Sequence, residues 1–223
     1  MDINSYPNNE VEMILLIGGE KDGTGKTTIS TNLATIRSLD GYNVLLADAH
    51  PTKAASLWSS KRDEDNILPK ITTLQKFDHI QKEILALKTK FDDIIIDAGG
   101  RDSVAVELLL CVADKAIFPL LATDLSTLEE VNSSVSDAKA INEKLAAFVM
   151  INQVSSNPSV KEIEEVGEFL RDFSELKLLN SGVSERLSIK EAIIAGKSVK
   201  ELKPEDKKAS SEIHALYEEV FHA

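Results

Sequence analysis

The chain has 223 residues, 43% of them hydrophobic, and a formal net charge of −12. That length and apolar content suit one compact domain with a sizeable core, and no apolar run reaches the ~18–20 residues of a membrane-spanning helix. The single cysteine, Cys111, sits in an apolar run as a packing residue; it excludes an intrachain disulfide and fits a reducing cytoplasm.

Residues 1–12 are polar and acidic and lack the basic and apolar regions of a signal peptide, so they read as a disordered lead-in to a domain spanning 13–223. The apolar run Met13 to Ile17 predicts a strand, and Ile29, Leu33, Ile36 and Leu39 mark a helix. Between them lies Lys21-Asp22-Gly23-Thr24-Gly25-Lys26-Thr27-Thr28. Strand, Gly-rich turn and helix N-terminus are the context of a phosphate-binding loop, in which backbone N–H groups and the positive end of the helix dipole converge on phosphate oxygens. Lys26 is placed to reach the β- and γ-phosphates, and the Thr27 hydroxyl to bind Mg²⁺. Glu20 stands where the usual G-x-x-x-x-G-K-T pattern has its first glycine.

Further along, 43–48 predicts a strand, 54–61 a helix, 70–74 a strand and 77–87 an amphipathic helix. The continuous apolar run Ile94-Ile95-Ile96, closed by Asp97, marks a strand buried on both faces. A helix over 104–111, a strand over 115–120, a long helix over 125–141, a strand over 146–152 and a helix from Pro158 follow. A last strand over 176–179 precedes a mostly helical remainder from Ser184. Repeated β–α units of this size predict an α/β fold: a single-domain P-loop NTPase with a mostly parallel, twisted sheet flanked by helices.

In such sheets ligand residues gather at the carboxyl ends of the strands. Asp97, followed by Ala98-Gly99-Gly100, reads as an acid that holds Mg²⁺ through water, or as a cap on the next helix. Asp48 and His50 close the strand Leu45-Leu46-Ala47. Asn152 closes Phe148-Val149-Met150-Ile151 and can open the following loop; a resemblance to known nucleotide-binding relatives implies instead that it reads an adenine edge. Asp124 lies near the nucleotide or dimer face, or caps a helix from Leu125. Trp58 is a core or dimer-contact residue, and His79, His214 and His222 lack a second ligand at metal spacing.

A lysine five positions before the P-loop lysine resembles the signature of the ParA/MinD family of deviant Walker A ATPases, most like small plasmid-partition ParA proteins, and the likeness extends over nearly the whole chain. The resemblance implies that Lys21 reaches across an ATP-dependent homodimer to the partner's phosphates. It also implies that Asp48 supports the metal's water shell, so that Lys21, Lys26, Asp48 and His50 are the catalytic candidates. Two residues depart from the family pattern. Asp22 replaces a glycine and puts a carboxylate beside a triphosphate, which is unfavourable unless it points outward or pairs with a cation. His50 replaces the aspartate that positions the attacking water; it is either a working base or an inert substitute that leaves hydrolysis slow.

The family further implies nonspecific DNA binding by the ATP dimer, hydrolysis stimulated by a ParB-like adaptor, and a cytoplasmic, nucleoid-associated protein. The segment from Ser181 to Lys208 has a net charge of +2 against −14 for the rest, so it can form a positive face on an acidic body. Arg186, Lys190, Lys197, Lys200, Lys207 and Lys208 are the DNA-binding candidates, unless they form an ordinary solvated face. The final helix carries Glu212, Glu218 and Glu219, which disfavours a MinD-like membrane role. A ParA-like ATPase that positions a protein cargo, or a small-molecule ligase of the dethiobiotin synthetase type, are the alternatives. One cysteine excludes the iron-protein reductases, and a lone Tyr217 near the terminus argues against the tyrosine kinases.

Overall fold

A computed structural model describes residues 13–77, 79–99, 103–154 and 166–222; the lead-in, Gly100 and the helix expected from Pro158 lie outside the described residues. Among the described residues eight strands form one sheet, each paired parallel to its neighbour: β1 (Met13–Ile17), β2 (Val44–Ala49), β3 (Thr72–Gln75), β4 (Asp93–Ala98), β5 (Lys115–Leu121), β6 (Ala146–Val154), β7 (Leu176–Leu178) and β8 (Val183–Ser184). The order is β3-β2-β4-β1-β5-β6-β7, with β8 also pairing β6. The central strands β1, β2 and β4 are almost wholly buried, as their unbroken apolar runs require. The sheet is therefore the parallel, helix-flanked one that the sequence predicts.

The helices are α1 (Lys26–Leu39), α2 (Ala54–Glu64), α3 (Ile80–Leu87), α4 (Ser103–Leu110), α5 (Leu128–Lys139), α6 (Leu187–Ile194) and α7 (Lys207–Phe221); residues 166–170 are also helical. They cover two apolar layers, one on each face of the sheet. Two expected helices start late. His79, at φ 55°, precedes α3, and an antiparallel bridge between Leu121 and Asp124 holds the chain in a turn before α5. Local turn geometry there outweighs the helical periodicity.

The last helix docks on the domain. Ile213, Leu216, Tyr217 and Val220 recur at helical spacing and are buried. The Tyr217 hydroxyl donates to Asp40 at 2.5 Å, and burial pushes its pKa up to about 12. Among the described residues no helix is long and apolar enough to cross a membrane.

A buried ion pair ties the C-terminal segment to α2. Arg62, with 0% of its side chain exposed, donates to both Glu201 oxygens at 2.8 and 2.6 Å and to the carbonyls of Pro69 and Gly196 at 2.8 and 3.1 Å. Every bond is needed there, because an uncompensated buried charge costs about 3–5 kcal/mol. Gly196 has φ +65°, and a Cβ on it would lie 2.6 Å from the Arg62 backbone nitrogen. Only glycine allows that approach. Trp58 is core: it is buried, and its indole N–H donates to the Lys197 carbonyl at 3.2 Å. Cys111 is half-buried against the core, and burial raises its thiol pKa.

Candidate functional site

The strand register aligns the chemistry. Ile17 pairs with Asp97, and Asp97 pairs with Asp48, so two carboxylates stand side by side where β1 ends and the loop of residues 18–25 begins. That loop runs into α1 through Gly25, at φ 93°. A Cβ on Gly25 would come within 2.1 Å of the Asn152 amide nitrogen, so both conformation and space demand glycine. Asn152 donates to the Thr24 carbonyl at 2.7 Å, and Gln153 to the Gly23 carbonyl at 2.6 Å. Strand β6 thus grips the loop from its side. Gln153 adopts φ 55°, a left-handed conformation that is unusual outside glycine and here aims the amide at the loop.

Asp22, Lys26, Thr27, Thr28, His50 and Gln153 border an open cleft of about 420 Å³. Lys26 is buried, and its ammonium donates to the Lys21 carbonyl. Burial lowers its pKa, against the opposing charges of Asp22 and Asp97. Thr27 donates to Asp97 Oδ2 at 2.7 Å, while Asp97 Oδ1 is buried with no hydrogen-bond partner among the described residues. Burial pushes the Asp97 pKa up to about 7; Thr27 and Lys26 oppose that rise and Asp48 adds to it. Asp48 accepts from the backbone N–H groups of His50 at 3.1 Å and Ser56 at 2.7 Å. A hydroxyl, an orphaned carboxylate oxygen and a second carboxylate are the hard oxygen donors that Mg²⁺ takes, so the residues present fit that ion.

The two lysines of the loop point differently. Lys21 forms an ion pair with Asp124 and donates to the Ser126 hydroxyl at 2.8 Å. Asp124 does not cap α5; it accepts from Ser126 and, chiefly through Lys21, is held below the usual carboxylate range. Glu20, where a glycine was expected, meets Glu130 of α5. Their hydrogen bond, together with burial and the charges of Glu130 and Glu107, pushes the Glu20 pKa up to about 7. That shift favours the uncharged form of Glu20, which eases a glutamate at that position.

The departures at 22 and 50 meet. His50 Nε2 lies 3.4 Å from Asp22 Oδ1, and His50 Nδ1 accepts from the Thr52 backbone N–H at 3.1 Å. Asp22 therefore neither points into open solvent alone nor lacks a polar partner inside this chain.

The basic candidates fall into two groups. Arg186 precedes α6 and pairs with Glu212 at 2.5 Å, and Lys190 pairs with Glu185 at 2.6 Å. Both also line a hollow with Gly25, Thr28 and Asn152, closer to the loop than a separate DNA strip requires. Lys207 and Lys208 are exposed in the first turn of α7, whose N-cap Asp206 accepts from Lys208 N and Ala209 N, each at 3.1 Å. Ser188 donates to Asp206 at 2.7 Å, which joins the two helix starts. Lys200 lies 3.4 Å from His214 Nδ1, and Lys197 is half-buried beside Trp58. Gln153, Thr52, Ser126 and Glu130 are site residues that carry no motif; only the three-dimensional approach of β6, α5 and the β2 end to the loop reveals them.

A P-loop between a buried parallel strand and a helix, with acids at the neighbouring strand ends, defines a nucleotide-binding α/β domain. Residues 15–199 match the CobQ/CobB/MinD/ParA nucleotide binding domain, and the chain belongs to that family. It is 26% identical over 216 residues to the maintenance of carboxysome distribution protein A of Halothiobacillus neapolitanus, covering 92% of this chain and 95% of that protein. Its fold is similar to a putative plasmid partition protein of Borrelia burgdorferi bound to AMPPNP, with TM-score 0.70, 18% identity and coverage of 93% and 98% of the two chains. It is also similar to the septum site-determining protein MinD of Pyrococcus horikoshii complexed with Mg-ADP, with TM-score 0.69, 23% identity and coverage of 94% and 96%.

Proposed function

We propose that this chain is a ParA-type switch ATPase, which binds ATP with Mg²⁺, dimerises, and as a dimer binds duplex DNA without sequence preference. The single observation that carries this reading is Lys21, a second lysine on the outer shoulder of the P-loop beside Lys26. Lys26 and the loop amides bind the β- and γ-phosphates, and Asn152, beside the loop, is the residue assigned to the adenine edge. Thr27, with Asp48 and Asp97 through water, would hold Mg²⁺, which neutralises charge on the phosphates during transfer. Hydrolysis is slow until a ParB-like adaptor stimulates it, and the protein is cytoplasmic and follows the nucleoid in its ATP form. Plasmid partition is the process this cycle would serve.

DNA contact is assigned to Lys207 and Lys208, with Arg186, Lys190, Lys197 and Lys200 flanking them. Two cations at the positive end of a helix dipole cost stability, roughly 0.3–1 kcal/mol each, so α7 gains nothing from them for folding. Lys207→Glu with Lys208→Glu is therefore expected to raise the melting temperature while removing DNA binding in a filter or anisotropy assay. A variant that melts lower and still binds DNA as wild type does would contradict the assignment.

A second reading, distribution of a protein cargo, is favoured by the relative that maintains carboxysome distribution and aligns over 92% of this chain. Finding a gene for a small DNA-binding adaptor next to this one would favour plasmid partition over that reading.

A further inference from the structure

The contact between Asp22 and His50 carries an inference that rests on the ATPase reading. The backbone N–H of Thr52 can only donate, and it points at His50 Nδ1 from 3.1 Å, with the Thr52 hydroxyl 2.8 Å from the same atom. Nδ1 is therefore the unprotonated nitrogen of the neutral ring, and Nε2 carries the hydrogen. That Nε2–H faces Asp22 Oδ1 across 3.4 Å, a long contact of the kind that tightens when a substrate settles. In this tautomer His50 offers the cleft a donor and no lone pair, so the ring is not the base.

The ring is held in place. Only 13% of its side chain is exposed, and its own backbone N–H donates to Asp48 Oδ1 at 3.1 Å. Gly99 backs it so closely that a Cβ there would lie 3.1 Å from His50 Cδ2. Asp22 by contrast is 48% exposed in the loop, borders the cleft with Lys26 and Thr27, and its charge is felt at Lys26. Among the described residues, Asp22 is the carboxylate that reaches the cleft from the loop side.

We propose that Asp22, oriented by His50, is the hydrogen-bond acceptor that holds the attacking water. The water oxygen forms the new bond to the γ-phosphorus as the bond to the β–γ bridging oxygen breaks, its electron pair staying on ADP. The water's proton leaves with inorganic phosphate, and Asp22 orients the water without ending protonated. His50 is a positioning residue; its place as a donor, not a carboxylate, follows from an acceptor already supplied by position 22. An acceptor that holds the reacting water in place is worth about 10²-fold, the cost of a misplacement on the order of 1 Å.

The test uses the full chain with single-turnover hydrolysis, affinity for a fluorescent ATP analogue, and ¹⁵N chemical shifts of the His50 ring. Asp22→Asn is expected to slow hydrolysis by about 100-fold while leaving analogue affinity equal or tighter, since a charge beside the phosphates is removed. A residue that only shaped the loop would weaken binding too. His50→Gln keeps an N–H near the Nε2 position and is expected to retain most of the rate; His50→Leu is expected to lose about tenfold. The double change Asp22→Gly with His50→Asp moves the carboxylate to the strand end and is expected to recover most of the loss. In the nucleotide-free protein the ring should show an unprotonated Nδ1 and a protonated Nε2 whose shift moves in Asp22→Asn. Wild-type turnover in Asp22→Asn, or a proton on Nδ1, would overturn the proposal. Analogue binding with no hydrolysis by the wild type, alone or with DNA and adaptor, would overturn it while leaving the nucleotide-binding reading intact.

Discussion

Lys21→Ala is expected to abolish the ATP-dependent dimer while leaving ATP binding to a single chain largely intact. In the single chain the Lys21 ammonium rests on Asp124 and Ser126, with 39% of its side chain exposed. An ion pair that open to solvent contributes little to stability, so releasing Lys21 costs little. A lysine buried against a partner's phosphates is worth roughly 2–5 kcal/mol, and two-fold symmetry counts it twice. The gain exceeds the cost severalfold, and its loss would leave no dimer at micromolar concentration. The same comparison bounds the opposite change. Asp124→Ala frees Lys21 in both chains and is expected to strengthen the dimer by no more than about 30-fold, the equivalent of two weak surface pairs. Sedimentation velocity with ATP and Mg²⁺ reads both. A Lys21→Ala protein that dimerises like wild type would reduce Lys21 to a surface lysine.

Asp97→Asn is expected to have the second large effect, with opposite signs on stability and on metal-dependent binding. Burial and Asp48 raise the Asp97 pKa to about 7 against the pull of Thr27 and Lys26. The folded state therefore holds this proton more tightly than the unfolded chain, whose aspartates titrate near ~4. In the metal-free protein this group's contribution to stability is present below about pH 4 and is lost as pH rises towards about 7. Asparagine keeps the Thr27 hydrogen bond without the charge, so the metal-free variant should melt higher than wild type at pH 8. Mg²⁺ needs the carboxylate, so Mg²⁺-dependent ATP affinity should fall by about tenfold per pH unit below 7 in the wild type and be absent in the variant. Calorimetric titration of MgATP between pH 6 and pH 8, with melting curves alongside, measures both halves. A variant that melts lower at pH 8, or a wild type whose Mg²⁺ dependence is flat with pH, would contradict the assignment.

Residues that act through backbone position were legible in the sequence. The run Ile94-Ile95-Ile96 before Asp97 forced a buried parallel strand, and parallel register alone then set Asp97 beside Asp48. Gly25, Lys26 and Thr27 were legible for the same reason, since a strand–turn–helix leaves one place for a phosphate. Partnerships between distant side chains were not legible. Lys21 and Asp124 are 103 residues apart, and Gln153 meets Gly23 across 130. No periodicity encodes such meetings. The starts of α3 and α5 depart from the helical periodicity because a left-handed His79 and the Leu121–Asp124 bridge are local events that periodicity does not encode. Asp22 and His50 were each visible as a departure, but only their 3.4 Å approach joins them.

The most direct test of a DNA-binding switch is the salt dependence of binding to a nonspecific duplex, measured with ATP, with ADP and without nucleotide. One chain offers a few exposed cations on a body of charge −12, and two chains held by ATP double the positive strip while sharing one DNA. Each phosphate contact adds about −0.9 to the slope of log affinity against log salt. Binding is expected with ATP alone, with a steep negative slope and equal affinity for unrelated sequences. Equal affinity in all three nucleotide states, or no binding at low salt in any of them, would contradict the account.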